Sequence, residues 1–294
     1  MMPKLVESNT DAPTRLLETN GETYAYRRFG TGDGPPLLFL QHFTGTLDNW
    51  DPAVTGAIAE RREIILFDNA GIGRSSGTVP ATVAGMAAHA LAFLDGLGLV
   101  DQVDVLGFSL GGMVAQQMVL DRPSIFRKII LVGTAPRGGE EIMQLDKPSL
   151  GQHFSNPELK GYDILQKIFF TPSAASQDAG AAFIERLMQR REDRDPPSDQ
   201  EAIQAQMASF REWEQPHGER FSELAGIAQP VLVINGIADE MIPVRNSYWL
   251  AENIPNATLM VLPDAGHGSL FQYHRIFADH VDRFLGSQTK GAPL

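Results

Sequence analysis

The chain has 294 residues, 43% of them hydrophobic, enough for a full core in one large domain or two ordinary ones. Its formal net charge of −12 at pH 7 disfavours nucleic acid and anionic membrane as partners, since both are bound through basic patches. Zero cysteines exclude disulfides, thiolate catalysis and cysteine metal sites; no apolar run nears the roughly 20 residues that span a bilayer, and residues 1–8 hold no signal-peptide core, so a cytoplasmic location is expected.

After a start whose composition predicts disorder, Leu16 to Arg28 alternates around Asn20-Gly21, a two-residue hairpin signal. Leu37 to Leu40 and Ile64 to Phe67 are continuous apolar runs, the pattern of strands buried on both faces. A helix is predicted from about Pro80, with Val83, Met86, Ala87, Ala90, Leu91, Leu94 and Leu97 on one face. Strands follow at Val103 to Leu106, Lys128 to Val132, Val231 to Ile234 and Leu259 to Leu262. Apolar strands alternating with amphipathic helices predict an α/β fold with a mostly parallel sheet covered on both faces. Between Ala135 and Glu223 the pattern is helical, an insertion in the sheet order. Its mixed run Arg190 to Asp195 reads as a solvated loop, and Gly286 to Leu294 reads as a frayed end.

The strand at Val103 is followed by Gly107-Phe108-Ser109-Leu110-Gly111 and then by helical spacing. A chain that reverses from strand to helix in so few residues strains its central residue, and glycines at Gly107 and Gly111 tolerate the crowding. Ser109 is thereby lifted to the helix N-terminus as a candidate nucleophile. A serine hydroxyl needs a histidine base oriented by a carboxylate. Asp239 and His267 each lie just past a predicted parallel strand, and the carboxyl ends of such strands gather along one sheet edge. Glu240 and Asp264 compete for the acid role, but Asp264 suits a turn; His89, His274 and His280 fall in helical patterns, and His153 and His217 lie in the insertion. An oxyanion needs two N–H donors, for which Leu110 and Phe43, in the loop Gln41 to Gly45, are the candidates.

Ser109, Asp239 and His267 in that order, the Gln41 to Gly45 loop and the turn Phe67 to Ser76 resemble the α/β-hydrolase fold superfamily over nearly the whole chain. The resemblance implies an eight-stranded sheet with a helical cap after the sixth strand. Residues 1–134 and 224–294 would form the core and residues 135–223 the cap. Within the superfamily the chain is most similar to small-capped serine esterases and cofactor-free haloperoxidases, or perhydrolases. One departure is Gln41-His42, where relatives carry His-Gly before the oxyanion residue. The plainer reading has Gln41 bonding the loop and His42 packing beside it; the sharper one has His42 contacting substrate or a second water. Dehalogenases and epoxide hydrolases carry aspartate where this chain has Ser109, and proline-releasing aminopeptidases usually carry tryptophan where it has Leu110.

The expected activity is hydrolysis of a small, fairly apolar carboxylic ester or lactone through an acyl-enzyme. Carbon-carbon hydrolysis or perhydrolysis on the same three residues is an alternative, and so is a small-molecule receptor with little turnover. Phe169, Phe170, Phe210 and Trp213 are candidate cap walls, although helix packing is the plainer reading of each. Gly71-Ile72-Gly73 followed by Gly77 has the wrong spacing for a dinucleotide loop, and there is no Walker loop or His-Glu-x-x-His. No cofactor and no metal is expected, and the oligomeric state is left open.

Overall fold

The protein is described by a computed structural model covering residues 8–32 and 34–287. Residues 1–7 and 288–294, the bulk of the two ends expected to be disordered, lie outside the described residues. Strands β1 (Arg15–Thr19) and β2 (Glu22–Gly30) pair antiparallel through Asn20-Gly21. Their φ values of 53° and 80° are the left-handed pair that matches the twist of a two-residue hairpin. Then come β3 (Leu37–Leu40), α1 (Pro52–Ala59), β4 (Glu63–Phe67), α2 (Val83–Gly96), β5 (Val103–Phe108), α3 (Leu110–Asp121) and β6 (Phe126–Val132).

Four helices stand between β6 and the next strand: α4 (Pro148–Phe154), α5 (Tyr162–Phe169), α6 (Ala174–Leu187) and α7 (Gln200–Trp213). The chain closes with β7 (Val231–Gly236), α8 (Arg245–Asn253), β8 (Ala257–Leu262), α9 (Ser269–Gln272) and α10 (His274–Gly286). None of these helices is long and apolar enough to cross a membrane.

The eight strands form one sheet in the order β1-β2-β4-β3-β5-β6-β7-β8, antiparallel at β1-β2 and β2-β4 and parallel elsewhere. Helix α2 packs with α3 and α1 with α10, so both faces are covered and β5 and β7 are buried along their whole length. That is why their sequences are apolar runs without alternation. The strand order turns back between β3 and β5, which stand side by side with Leu40 opposite Gly107. Such a reversal splays the following loops apart and opens a crevice at the carboxyl ends. The loop after β3 and Ser109 after β5 meet there.

The run Arg190 to Asp195 is solvated only in part: Arg191, Glu192 and Asp193 are exposed, whereas Arg190 is buried. The Arg190 guanidinium is buried and donates to the carbonyls of Asn9 (2.9 Å), Thr10 (3.1 Å) and Ala12 (2.9 Å). Asp193 pairs with Arg74 and accepts from the Thr14 N–H at 3.1 Å. The Asp195 N–H donates to Asp48 at 2.7 Å, and Asp48 in turn pairs with the fully buried Arg27 at 2.8 Å. Arg190, Asp193 and Asp195 thus find partners far away in sequence, on the N-terminal segment and the turns after β3 and β4. The run straps the insertion to the sheet.

Candidate active site

Between β5 and α3 stands Ser109 alone, with φ 56° and ψ −120°. A Cβ at Gly107 would lie 2.3 Å from the Gly111 carbonyl oxygen, and one at Gly111 would lie 2.1 Å from that of Leu40. Both are far inside van der Waals contact, so this reversal requires glycine on each side of the serine. The Ser109 N–H donates to Val132 (2.9 Å) and its carbonyl accepts from Thr134 Oγ1 (2.7 Å), which ties the strained residue to the end of β6. Helix α3 starts at the next residue and turns its unpaired N–H groups and positive dipole end toward the hydroxyl.

Asp239 follows β7 and His267 follows β8. His267 Nδ1 lies 2.7 Å from Asp239 Oδ2, and because a carboxylate only accepts, Nδ1–H is the donor. The other carboxylate oxygen accepts from the N–H groups of Met241 and Ile242, each at 2.9 Å, so the backbone orients the acid as well. The imidazole lies 5.0 Å from the ring of Phe108 and against Gly133, at the end of β6. Its Nε2 is buried and has no hydrogen-bond partner among the described residues. Ser109, Asp239 and His267 are 1%, 5% and 0% exposed, gathered at one edge of the sheet. A hydroxyl, an imidazole whose Nε2 has no partner and a carboxylate that stabilises its cation can activate a nucleophile. Asp264 instead accepts from Thr171 Oγ1 and Ser173 Oγ, each at 2.6 Å, and joins the turn after β8 to the insertion.

In the loop after β3, Gln41 Nε2 donates to the Thr46 carbonyl (3.0 Å) and Gln41 Oε1 accepts from the His42 N–H (2.9 Å). His42 packs edge-on against Phe108 (5.4 Å) and Phe169 (5.3 Å). Burial pushes its imidazole down to about 4, against the opposing effect of its bond to Phe43 and with a smaller push from His267, so it is neutral at pH 7. Nδ1–H of His42 donates to the Phe43 carbonyl at 2.7 Å. The N–H groups of Phe43 and Leu110, by contrast, have no acceptor among the described residues. A cavity of about 30 Å³, bounded by Gln41, His42, Leu110, Gly111 and Gln206 among others, lies beside Leu110, with Phe43, Ser109 and His267 outside its lining. That is room for about one water molecule.

Of the four expected wall residues, Phe169 stands next to the chemistry, with its ring 5.5 Å from that of His267 and 5.7 Å from that of Phe108. Phe210 packs on Phe43 at 5.8 Å. Phe170 packs on Phe183 within the insertion, and Trp213 lies 4.1 Å from the Arg137 guanidinium with its Nε1–H donating to Ala135 (3.1 Å). Neither of these two rings contacts His42, Phe108 or His267. A residue that sequence reasoning missed is Gln206 on α7, 5% exposed, whose Oε1 accepts from the Thr44 N–H at 2.8 Å. Its signal was available: it is a polar residue on the stripe shared with Phe210 and Trp213 at helical spacing. Among the described residues no group of three His, Asp or Glu side chains is arranged to hold a metal ion.

The family model for the alpha/beta hydrolase fold matches residues 35–272. Among solved structures, an alpha/beta hydrolase fold protein from Chitinophaga pinensis superposes with a TM-score of 0.88 and 41% identity, covering 95% of this chain and 99% of that one. Among curated relatives, a protein of Mycobacterium tuberculosis provisionally named non-heme bromoperoxidase BpoC is 28% identical over 263 residues, 84% of this chain and 92% of its own. A 2-hydroxymuconate semialdehyde hydrolase of Pseudomonas putida is 28% identical over 271 residues, 86% of this chain and 88% of its own. With the strand order, the glycine-flanked elbow and a match over most of its length, the chain belongs to the alpha/beta hydrolase fold family.

Proposed function

We propose that the protein is a serine hydrolase that cleaves a small, fairly apolar carboxylic ester or lactone through an acyl-enzyme at Ser109. The observation that carries this reading is the strained Ser109 elbow beside a buried His267–Asp239 pair whose Nε2 is free. Ser109 Oγ attacks the carbonyl carbon while His267 Nε2 takes its proton, and the oxyanion is held by the N–H groups of Leu110 and Phe43. On collapse His267 protonates the leaving alkoxide; water then attacks the acyl carbon by the same route and frees Ser109.

In this reading residues 135–223 act as a cap over a core made of residues 1–134 and 224–294. Phe169 and Phe210 limit the size of the acyl group, and His42 adds a neutral wall. With Ser109 and His267 almost fully buried, the cap must shift to admit an ester. A cytoplasmic small-molecule enzyme without a cofactor is the matching cellular picture. Perhydrolysis on the same residues is the second reading, favoured by the relative named as a bromoperoxidase. It is read by adding hydrogen peroxide and measuring peracid.

The test is intact mass after brief exposure to a fluorophosphonate, with p-nitrophenyl acetate and butyrate turnover measured on the native protein and on Ser109→Ala. Expected are one adduct on the native protein, none on the variant, and turnover that falls at least about a thousandfold on substitution. A native protein that takes no label and gives no turnover would leave the receptor reading in its place.

A further inference from the structure

Along the loop after β3 four N–H groups have assigned partners. His42 donates to Gln41 Oε1 (2.9 Å), Thr44 to Gln206 Oε1 (2.8 Å), Gly45 to the His42 carbonyl (3.1 Å) and Thr46 to Asn49 Oδ1 (2.9 Å). The Phe43 N–H has none among the described residues. The peptide unit that follows it is pinned at both ends. Its carbonyl, on Phe43, accepts from His42 Nδ1–H at 2.7 Å, and its N–H, on Thr44, is the one held by Gln206.

This peptide orientation is not the relaxed one. It puts Thr44 at φ 60°, in the left-handed region that a β-branched residue disfavours strongly. Rotating the Phe43–Thr44 peptide would relieve Thr44 but would break both bonds, and would change the Phe43 backbone that aims the free N–H. One of the two pins comes from within the loop. The other comes from α7, 162 residues further along the chain, together with Ser198 Oγ, which donates to the Thr44 carbonyl at 3.1 Å. The same helix seats Phe210 against the Phe43 ring.

We propose that Gln206 is a positioning residue that holds the oxyanion loop in its strained, donor-presenting conformation, so that seating α7 assembles the oxyanion hole. The inference rests on the reading of Phe43 N–H as an oxyanion donor. Its consequence is that a cap opened to admit substrate loosens the hole, and closure over a substrate that fits restores it. Selectivity then acts on kcat as well as on KM.

Gln206→Met keeps the length and packing of the side chain and removes the acceptor. The expected result is kcat on p-nitrophenyl butyrate lower by about ten- to a hundredfold, KM within about threefold, and the rate of Ser109 phosphonylation lower by the same factor as kcat. Melting temperature serves as the check on folding. Because glycine adopts φ near 60° without strain, Thr44→Gly in the Gln206→Met background restores kcat to within about threefold of Thr44→Gly alone. A merely structural glutamine gives no such repair. Should Gln206→Met not fold, Ser198→Ala reads the same clamp, with a severalfold fall in kcat at constant KM expected and no fall overturning the proposal. Wild-type kcat in Gln206→Met, or a loss that Thr44→Gly leaves unrepaired, also overturns it. A native protein that fluorophosphonate does not label at Ser109 overturns the serine-hydrolase reading itself, and the proposal falls with it.

Discussion

At Asp239 the two carboxylate oxygens face different demands: one accepts two backbone N–H groups and the other accepts the imidazole N–H. In Asp239→Asn the amide oxygen must stay on the backbone side, since an NH₂ there would meet two donors. The NH₂ then faces His267 Nδ1 and forces the ring into the tautomer with Nε2 protonated, which cannot accept a proton from Ser109. We expect kcat to fall by roughly 10³–10⁴-fold with KM little changed, measured by steady-state ester hydrolysis. These residues were legible in the sequence because each carries a local constraint: glycines crowd Ser109, and Asp239 and His267 sit just past apolar strands. Gln206 carries no such mark beyond its place on a buried stripe. Its role is set by an N–H on another part of the chain.

Elements show the same division. The hairpin, the strands and helix α2 are consequences of short-range patterning, whereas the strap Arg190 to Asp195 is defined by partners more than a hundred residues away. Within it Asp195 and Asp68 approach each other behind Gly73, among Arg27, Arg74, Asp48 and Asp193. Burial, followed by mutual repulsion, keeps the Asp68 carboxyl well above the usual range. Burial, followed by Asp48, pushes Asp195 up to about 6. A carboxyl whose folded value exceeds its unfolded one of about 4 binds more protons when folded, so its contribution is complete below pH 4 and is lost as pH rises through 6. Asp195→Asn removes that titration. Urea unfolding at pH 5 and pH 7 should show the native protein losing more stability across the interval than the variant, by on the order of 1 kcal/mol. Equal slopes would dismiss the linkage.

At the scale of the whole molecule, the two core segments on either side of the insertion are joined by the parallel pairing of β6 with β7, where Ile130 lies opposite Leu232. Ile130 is fully buried. Ile130→Ala should lower the unfolding free energy by about 2–5 kcal/mol in a denaturant melt while leaving KM unchanged, because the cavity forms in the sheet and away from the site. The sequence by itself determined the mostly parallel sheet, the helical insertion, the elbow and the positions of Asp239 and His267 just past strand ends, because strand runs, glycine-flanked turns and chain order are local or collinear features. Tertiary structure alone decided which insertion residues reach the site, that the charged run is a strap tied by distant partners, and that Gln206 pins the loop after β3. Those outcomes depend on which surfaces meet when distant segments pack, and a linear pattern holds no record of the partner across the interface.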